Sequence, residues 1–119
     1  MSGTKNDKGK PSITLIPREA IWGCAQALTY GADKYGRHNF REGIEYSRLA
    51  DACMRHLTAY MDGEAIDKES GNNHLYHAMA SLAMLTWMDH NKPEMDDRWQ
   101  EPESKATPTE FKKVTKDEL

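Results

Sequence analysis

Residues 78–88 read AMASLAMLTWM, and this run decides the fold. Alanine, methionine and leucine are strong helix formers, and nothing alternates with the period of two that a half-buried strand requires. Working outward, His74 and His77 stand three apart, Asn72 and Asn73 supply a start, and the pattern stops near His90. A helix is therefore expected from Asn72 or Asn73 to His90. Its central stretch is apolar or small on every face, and a helix apolar all round must be buried all round. Two neighbouring helices cannot supply that, because a domain of roughly 80 residues is mostly surface. The run thus predicts a homo-oligomer, a dimer or tetramer, in which this helix packs on its counterparts. The alternative is that a tail of the same chain covers the outer face.

Two further helices precede it. One is expected from Pro17 to about Tyr35, with Pro17 at the first helical position, Glu19 in the first turn, and Ile21, Cys24, Leu28 and Tyr35 at helical spacing. The other is expected from an N-cap at Ser47 to Met61 or Asp62, with Gly63 as its stop. Its apolar stripe is Leu49, Cys53, Leu57 and Tyr60, while Arg48, Asp51 and Arg55 form a polar one. Only Ile13-Thr14-Leu15-Ile16 has strand character, and Pro17 cuts it short. The expected fold is all-α, a small bundle of three main helices per chain completed by oligomerisation. Residues 1–12 form a flexible tail and 13–90 the helical domain. Residues 91–119 form a Pro- and charge-rich tail that Trp99 or Phe111 can drape over the domain.

Sixteen basic against nineteen acidic residues give a formal net charge of −3. That balance argues against a nucleic-acid binder, which carries a basic excess. No apolar run is long enough to span a membrane, and the N-terminus has no secretory h-region. Cys24 and Cys53 fall in helical patterns and read as reduced core residues. The terminal Lys116-Asp117-Glu118-Leu119 spells a retention signal for the endoplasmic reticulum. With no route into that compartment it is read as coincidence, and the expected location is the cytoplasm.

The chemistry gathers between the second and third helices, in GEAIDKESGNNHLYH, residues 63–77. Asp62, Glu64, Asp67 and Glu69 place four carboxylates close together, and His74 and His77 share one side of a helical turn. His56 lies on the apolar side of the second helix. In an antiparallel hairpin the three histidines can converge near its closed end. Carboxylates suit Mg²⁺ or Mn²⁺, and imidazoles tilt the choice towards Mn²⁺ or Zn²⁺. The plainer readings are a solvated acidic loop, a core role for His56, and capping of the third helix by Asp67, Glu69 and Ser70. A second polar group, GADKYGRHNF at 31–40, offers Lys34, Arg37, His38 and Asn39 to phosphates or a base, without the spacing of a P-loop.

Four stretches together resemble one family: KPSITLIPREA (10–20), LTYGADKYGRHNF (28–40), REGIEYSRLADACMRHLTAYMDGE (41–64) and IDKESGNNHLYHAMASLAML (66–85). They are similar to the N-terminal domain of the dATP/dGTP diphosphohydrolases, a largely phage-encoded family related to the MazG-like all-α nucleoside triphosphate pyrophosphohydrolases. The resemblance runs from about Lys10 to Leu85. It implies Mg²⁺- or Mn²⁺-dependent cleavage of a deoxynucleoside triphosphate, preferably dGTP or dATP, to the monophosphate and pyrophosphate. It also implies a helical oligomer in the host cytoplasm. In the wider MazG-like group the metal ligands are an ExxE on one helix and an ExxD on the next. Here Glu64-Ala65-Ile66-Asp67 is an ExxD just past a helix end, and the first two helices hold no ExxE.

The roles expected on that basis are as follows. Glu64, Asp67 and Glu69, with His56, hold the metal. Glu64, Asp67, Glu69 and His77 carry the catalysis, with His77 as base or ligand. Lys34, Arg48, Arg55 and His74 meet the phosphates, and Asn39 meets the base or sugar. The competing reading is a non-catalytic helical interaction module that binds a partner protein through the third helix. A further one is a phosphohydrolase that releases triphosphate.

Overall fold

In the computed structural model, residues 3–102, 114, 115 and 117 are described. Three helices dominate: α1 (Arg18–Tyr35), α2 (Tyr46–Met61) and α3 (His74–Asn91). Short 3₁₀ turns occupy Ile13–Leu15, Asn39–Glu42 and Pro93–Met95. No strand occurs among the described residues, so the protein is all-α. The β-like segment Ile13–Ile16 forms a 3₁₀ turn, closed by Ile16 N–H donating to Ile13 O at 3.0 Å.

Each helix end has a local cause. Asn73 caps α3, its Oδ1 accepting from Leu75 N at 2.8 Å, and Pro93 stands two residues past its end. That corrects the capping expected of Asp67, Glu69 and Ser70. Gly36, at φ +95°, ends α1 in a conformation that only glycine adopts freely. Pro17 precedes α1 as its N-cap rather than sitting inside the first turn. The expected Ser47 cap of α2 is also corrected. The cap position falls two residues earlier, at Glu45, and no side chain of its own sequence caps the helix. Ser47 instead donates its N–H to Asp97 Oδ1 at 2.9 Å and its hydroxyl to Asp97 Oδ2. The cap is thus supplied by a carboxylate fifty residues further on.

Tyr46 Oη donates to Met88 O at 3.1 Å, so the start of α2 lies beside the end of α3. His56 and His74 meet at the other end, which makes α2 and α3 an antiparallel hairpin. α3 packs against both other helices, while α1 and α2 scarcely touch. The apolar core is therefore thin and sits at one end of the hairpin, around Tyr46, Leu49 and Met88 with Phe40, Ile44, Leu85, Trp87 and Met95. Met88 is the only large side chain there with no exposure at all.

The chain after α3 belongs to this core as far as Arg98. Met95 packs into it and fits against Gly43, where a Cβ would fall 3.1 Å from its Sδ. Arg98 lies over the Tyr46 ring, 5.8 Å from its centroid. Trp99, expected as an anchor, is 75% exposed. Phe111 and most of the terminal Lys-Asp-Glu-Leu lie outside the described residues. Cys53 is buried, Cys24 half-buried, and both are free thiols. No helix is long and apolar enough to cross a membrane among the described residues.

Candidate functional site

The loop between α2 and α3 is a compact turn that folds back on itself. Gly63, at φ +104°, releases the chain from α2, and Glu64 N–H returns to Ala59 O at 3.0 Å. Asp67 N–H donates to Asn72 O at 2.8 Å, Gly71 N–H to Asp67 O at 2.8 Å, and His74 N–H to Ala65 O at 2.8 Å. With its backbone satisfied in this way, the loop holds its acids in fixed directions.

At the closed end of the hairpin the three histidines meet. His56 Nδ1 lies 2.8 Å from His74 Nδ1, and the His56 and His77 rings stack with centroids 4.7 Å apart. His74, 5% exposed, has both ring nitrogens engaged, since its Nε2 lies 3.2 Å from Glu64 Oε1. The His77 Nε2 is 2.7 Å from Ser70 Oγ, which itself donates to Asp67 Oδ2 at 2.7 Å. Burial works to raise the Asp67 pKa, but the bonds from the Ser70 hydroxyl and N–H outweigh it and hold the carboxyl below its usual value. Burial lowers the pKa of both His56 and His77, and the neighbouring imidazoles push the same way. The site thus favours neutral rings at His56 and His77 beside an ionised Asp67.

From α1, Lys34 Nζ binds Glu69 Oε1 at 2.9 Å, and Tyr30 Oη donates to the same oxygen at 3.4 Å. The Lys34 bond lowers the Glu69 pKa, and Glu69 in turn raises that of Lys34. The Tyr30 ring meets His77 edge-on at 5.8 Å. A groove of about 490 Å³, lined in part by Trp22, Gln26, Tyr30 and Asn72, opens beside this corner.

Of the expected site residues, the fold brings together His56, His74, His77, Glu64 and Asp67, with Glu69 and Lys34 on the border. Arg55 lines a separate groove on α2 with Asp51 and Asp62. Arg48 pairs with Glu45 at 3.3 Å, and at about 1.5 Å of rise per residue it lies roughly 12 Å along α2 from His56. Asn39 is in the turn next to Phe40, whose ring meets Trp87 near the end of α3, far from the histidines. Two participants were not singled out as site residues in the sequence, Tyr30 and Ser70. Ser70 was legible only as a possible cap, and Tyr30 only as one more residue of the first helix.

Among the described residues no three His, Cys, Asp or Glu side chains converge as a ligand group. Glu64 faces His74, Asp67 faces Ser70 and His77, and Glu69 faces Lys34. As arranged, these residues do not make a self-sufficient metal cage.

Residues 1–98 match the family described as dATP/dGTP diphosphohydrolase, N-terminal. A dATP/dGTP diphosphohydrolase of Salmonella phage PMBT28 is 37% identical over 98 residues, which cover 82% of this chain and 33% of that protein. The chain therefore spans about a third of the curated relative it matches. No solved structure matches it. Since the family match takes in all three helices and the whole histidine-acid loop, the chain belongs to the dATP/dGTP diphosphohydrolase N-terminal family.

Proposed function

We propose that the chain hydrolyses a deoxynucleoside triphosphate, dGTP or dATP, to the monophosphate and pyrophosphate. The observation that carries this reading is the meeting of His56, His74, His77, Glu64 and Asp67 with the Lys34–Glu69 pair, in a chain of this family. Imidazoles kept neutral by burial are suited to accept a proton from water, and Lys34 supplies positive charge at the rim. The triphosphate displaces Glu69 from Lys34, and the nucleoside enters the groove beside Tyr30, where Trp22 offers an exposed ring for stacking. Arg48 and Asn39 lie at the opposite end and are left out of this reading.

Mg²⁺ or Mn²⁺ belongs to the proposal as an ion that arrives with the triphosphate. Mg²⁺ is usually held through one or two carboxylates plus substrate phosphates, so a closed protein cage is not required. Such an ion supplies charge neutralisation on the phosphates. The proposed assembly is a homo-oligomer without nucleic acid, working in the cytoplasm of the host cell. Leu82, on α3, is 51% exposed in the single chain and would be covered by a second copy.

The test is to incubate the protein with each of the four deoxynucleoside triphosphates, with Mg²⁺, with Mn²⁺ or with EDTA, and to resolve the products. Monophosphate and pyrophosphate from a purine substrate are expected. Orthophosphate or triphosphate as the product would identify a different phosphohydrolase. No turnover of any of the four would favour the helical interaction module.

A further inference from the structure

The hydrogen bonds around His74 fix where the protons of the cluster sit. An ionised carboxylate only accepts, so His74 must present Nε2–H to Glu64 Oε1, 3.2 Å away. In its neutral form, the one read at pH 8, the His74 ring carries a single proton, and its Nδ1 is then a bare acceptor. Its partner, His56 Nδ1 at 2.8 Å, must then be the donor. This makes His56 the Nδ1–H tautomer and leaves its Nε2 as a bare lone pair. The same reasoning applies to His77. The Ser70 hydroxyl has one proton and gives it to Asp67 Oδ2, so His77 donates Nε2–H to Ser70 Oγ. No buried side-chain nitrogen or oxygen lacks a partner among the described residues, and His56 Nε2 has no hydrogen bond. It is therefore not sealed from solvent.

We propose that Glu64 and His74 form a hydrogen-bonded relay that holds His56 in the Nδ1–H tautomer, with Nε2 aimed outward as the base for hydrolysis. The assignment of His56 as base rests on the triphosphate reading given above, whereas the relay itself does not. In the reaction, a water proton passes to His56 Nε2 as the water oxygen bonds to the α-phosphorus and the bond to the departing pyrophosphate breaks. His56 becomes an imidazolium whose Nδ1–H faces a ring polarised by Glu64. Its added proton then leaves to solvent or to pyrophosphate. His74 and Glu64 are positioning residues in this scheme, comparable to a carboxylate that orients and polarises a catalytic histidine. Ser70 and Asp67 engage His77 through its Nε2.

Long-range ¹H–¹⁵N correlation spectra of histidine-labelled protein, recorded in EDTA at pH 8, read each tautomer directly. The expected pattern is Nδ1–H for His56 and Nε2–H for both His74 and His77. In Glu64→Ala the His56 ring should lose its single tautomer, and kcat should fall by about tenfold to a hundredfold with KM nearly unchanged. Glu64→Gln, whose amide keeps the shape, should give an intermediate spectrum. An Nε2–H tautomer at His56 in the unaltered protein would overturn the relay, as would an unchanged His56 spectrum in both Glu64 variants. The expected tautomers without turnover of any triphosphate would uphold the relay and overturn the role of His56 as a base for hydrolysis.

Discussion

Gly23 of α1 lies directly against the ring of Tyr76 in α3, so close that a Cβ on Gly23 would fall 2.3 Å from Tyr76 Cδ1. The absence of a side chain sets the spacing of these two helices. α3 can then bring Tyr76 and His77 up to α1 within reach of Tyr30.

Gly23→Ala should therefore destabilise the protein although alanine is the better helix former. Overpacking costs about 1–3 kcal/mol, against at most about 1 kcal/mol of helix propensity recovered. A net loss of about 1–2 kcal/mol is expected in urea unfolding. Tyr76→Leu combined with Gly23→Ala should recover part of it, because the two sites are in contact. Simple additivity of the two changes would show that the contact does not set the spacing.

Asp97→Ala should lower the melting temperature by a few degrees, because it removes the acceptor for Ser47 N–H at the start of α2. Asp97→Asn keeps an acceptor oxygen and should retain much of the stability. The Ser47 contacts hold the Asp97 pKa below its ordinary value, so the cap persists down to mildly acid pH. Thermal melts of both variants at pH 7 check this. Equal losses in the two would point to charge rather than to the cap.

Stability should fall as the solution is made acid, beginning near the ordinary histidine value of 6.5. His56 and His77 have lowered pKa values in the folded chain, so the unfolded chain binds more protons between the folded and unfolded values. The stabilisation they allow is complete above 6.5 and is lost as pH falls through their folded values. Asp67 acts in the same direction at lower pH, since its lowered pKa gives stability that disappears as its carboxylate is protonated. Melting temperatures from pH 8 to 4 should show both phases, and His77→Gln should flatten the upper one. A flat profile between pH 7 and 5 in the unaltered protein would contradict this account of the cluster.

Leu82→Glu should shift the protein to a smaller species in light scattering, if α3 packs on a second copy. Leu82 and Thr86 are exposed one turn apart on the helix whose sequence is apolar all round. The helices of a single chain leave this face open, because α1 and α2 each cover a different side of α3. A unaltered protein that is monomeric at tens of micromolar would remove the basis for the oligomer.

The sequence by itself determined that the chain is all-α, that it has three main helices, and closely where they lie. These properties are written locally, in residues such as Ala78, Met79 and Leu82 at helical spacing and in stop signals such as Gly36 and Gly63. It also marked the acid-histidine loop, because four carboxylates and two histidines crowd into a short stretch. Tertiary structure alone decided which of these groups meet. Helical spacing gives the face on which a side chain lies but not what comes to face it. That is why Ser70 and Tyr30 became visible only when α1 and the loop were placed against His77. Asn39 and Arg48 read as partners in the sequence, yet the antiparallel hairpin carries them to the end opposite His56. The cap of α2 shows the same division. Ser47 carried the local signal, but the acceptor is Asp97, and nothing short of the folded chain brings the two together.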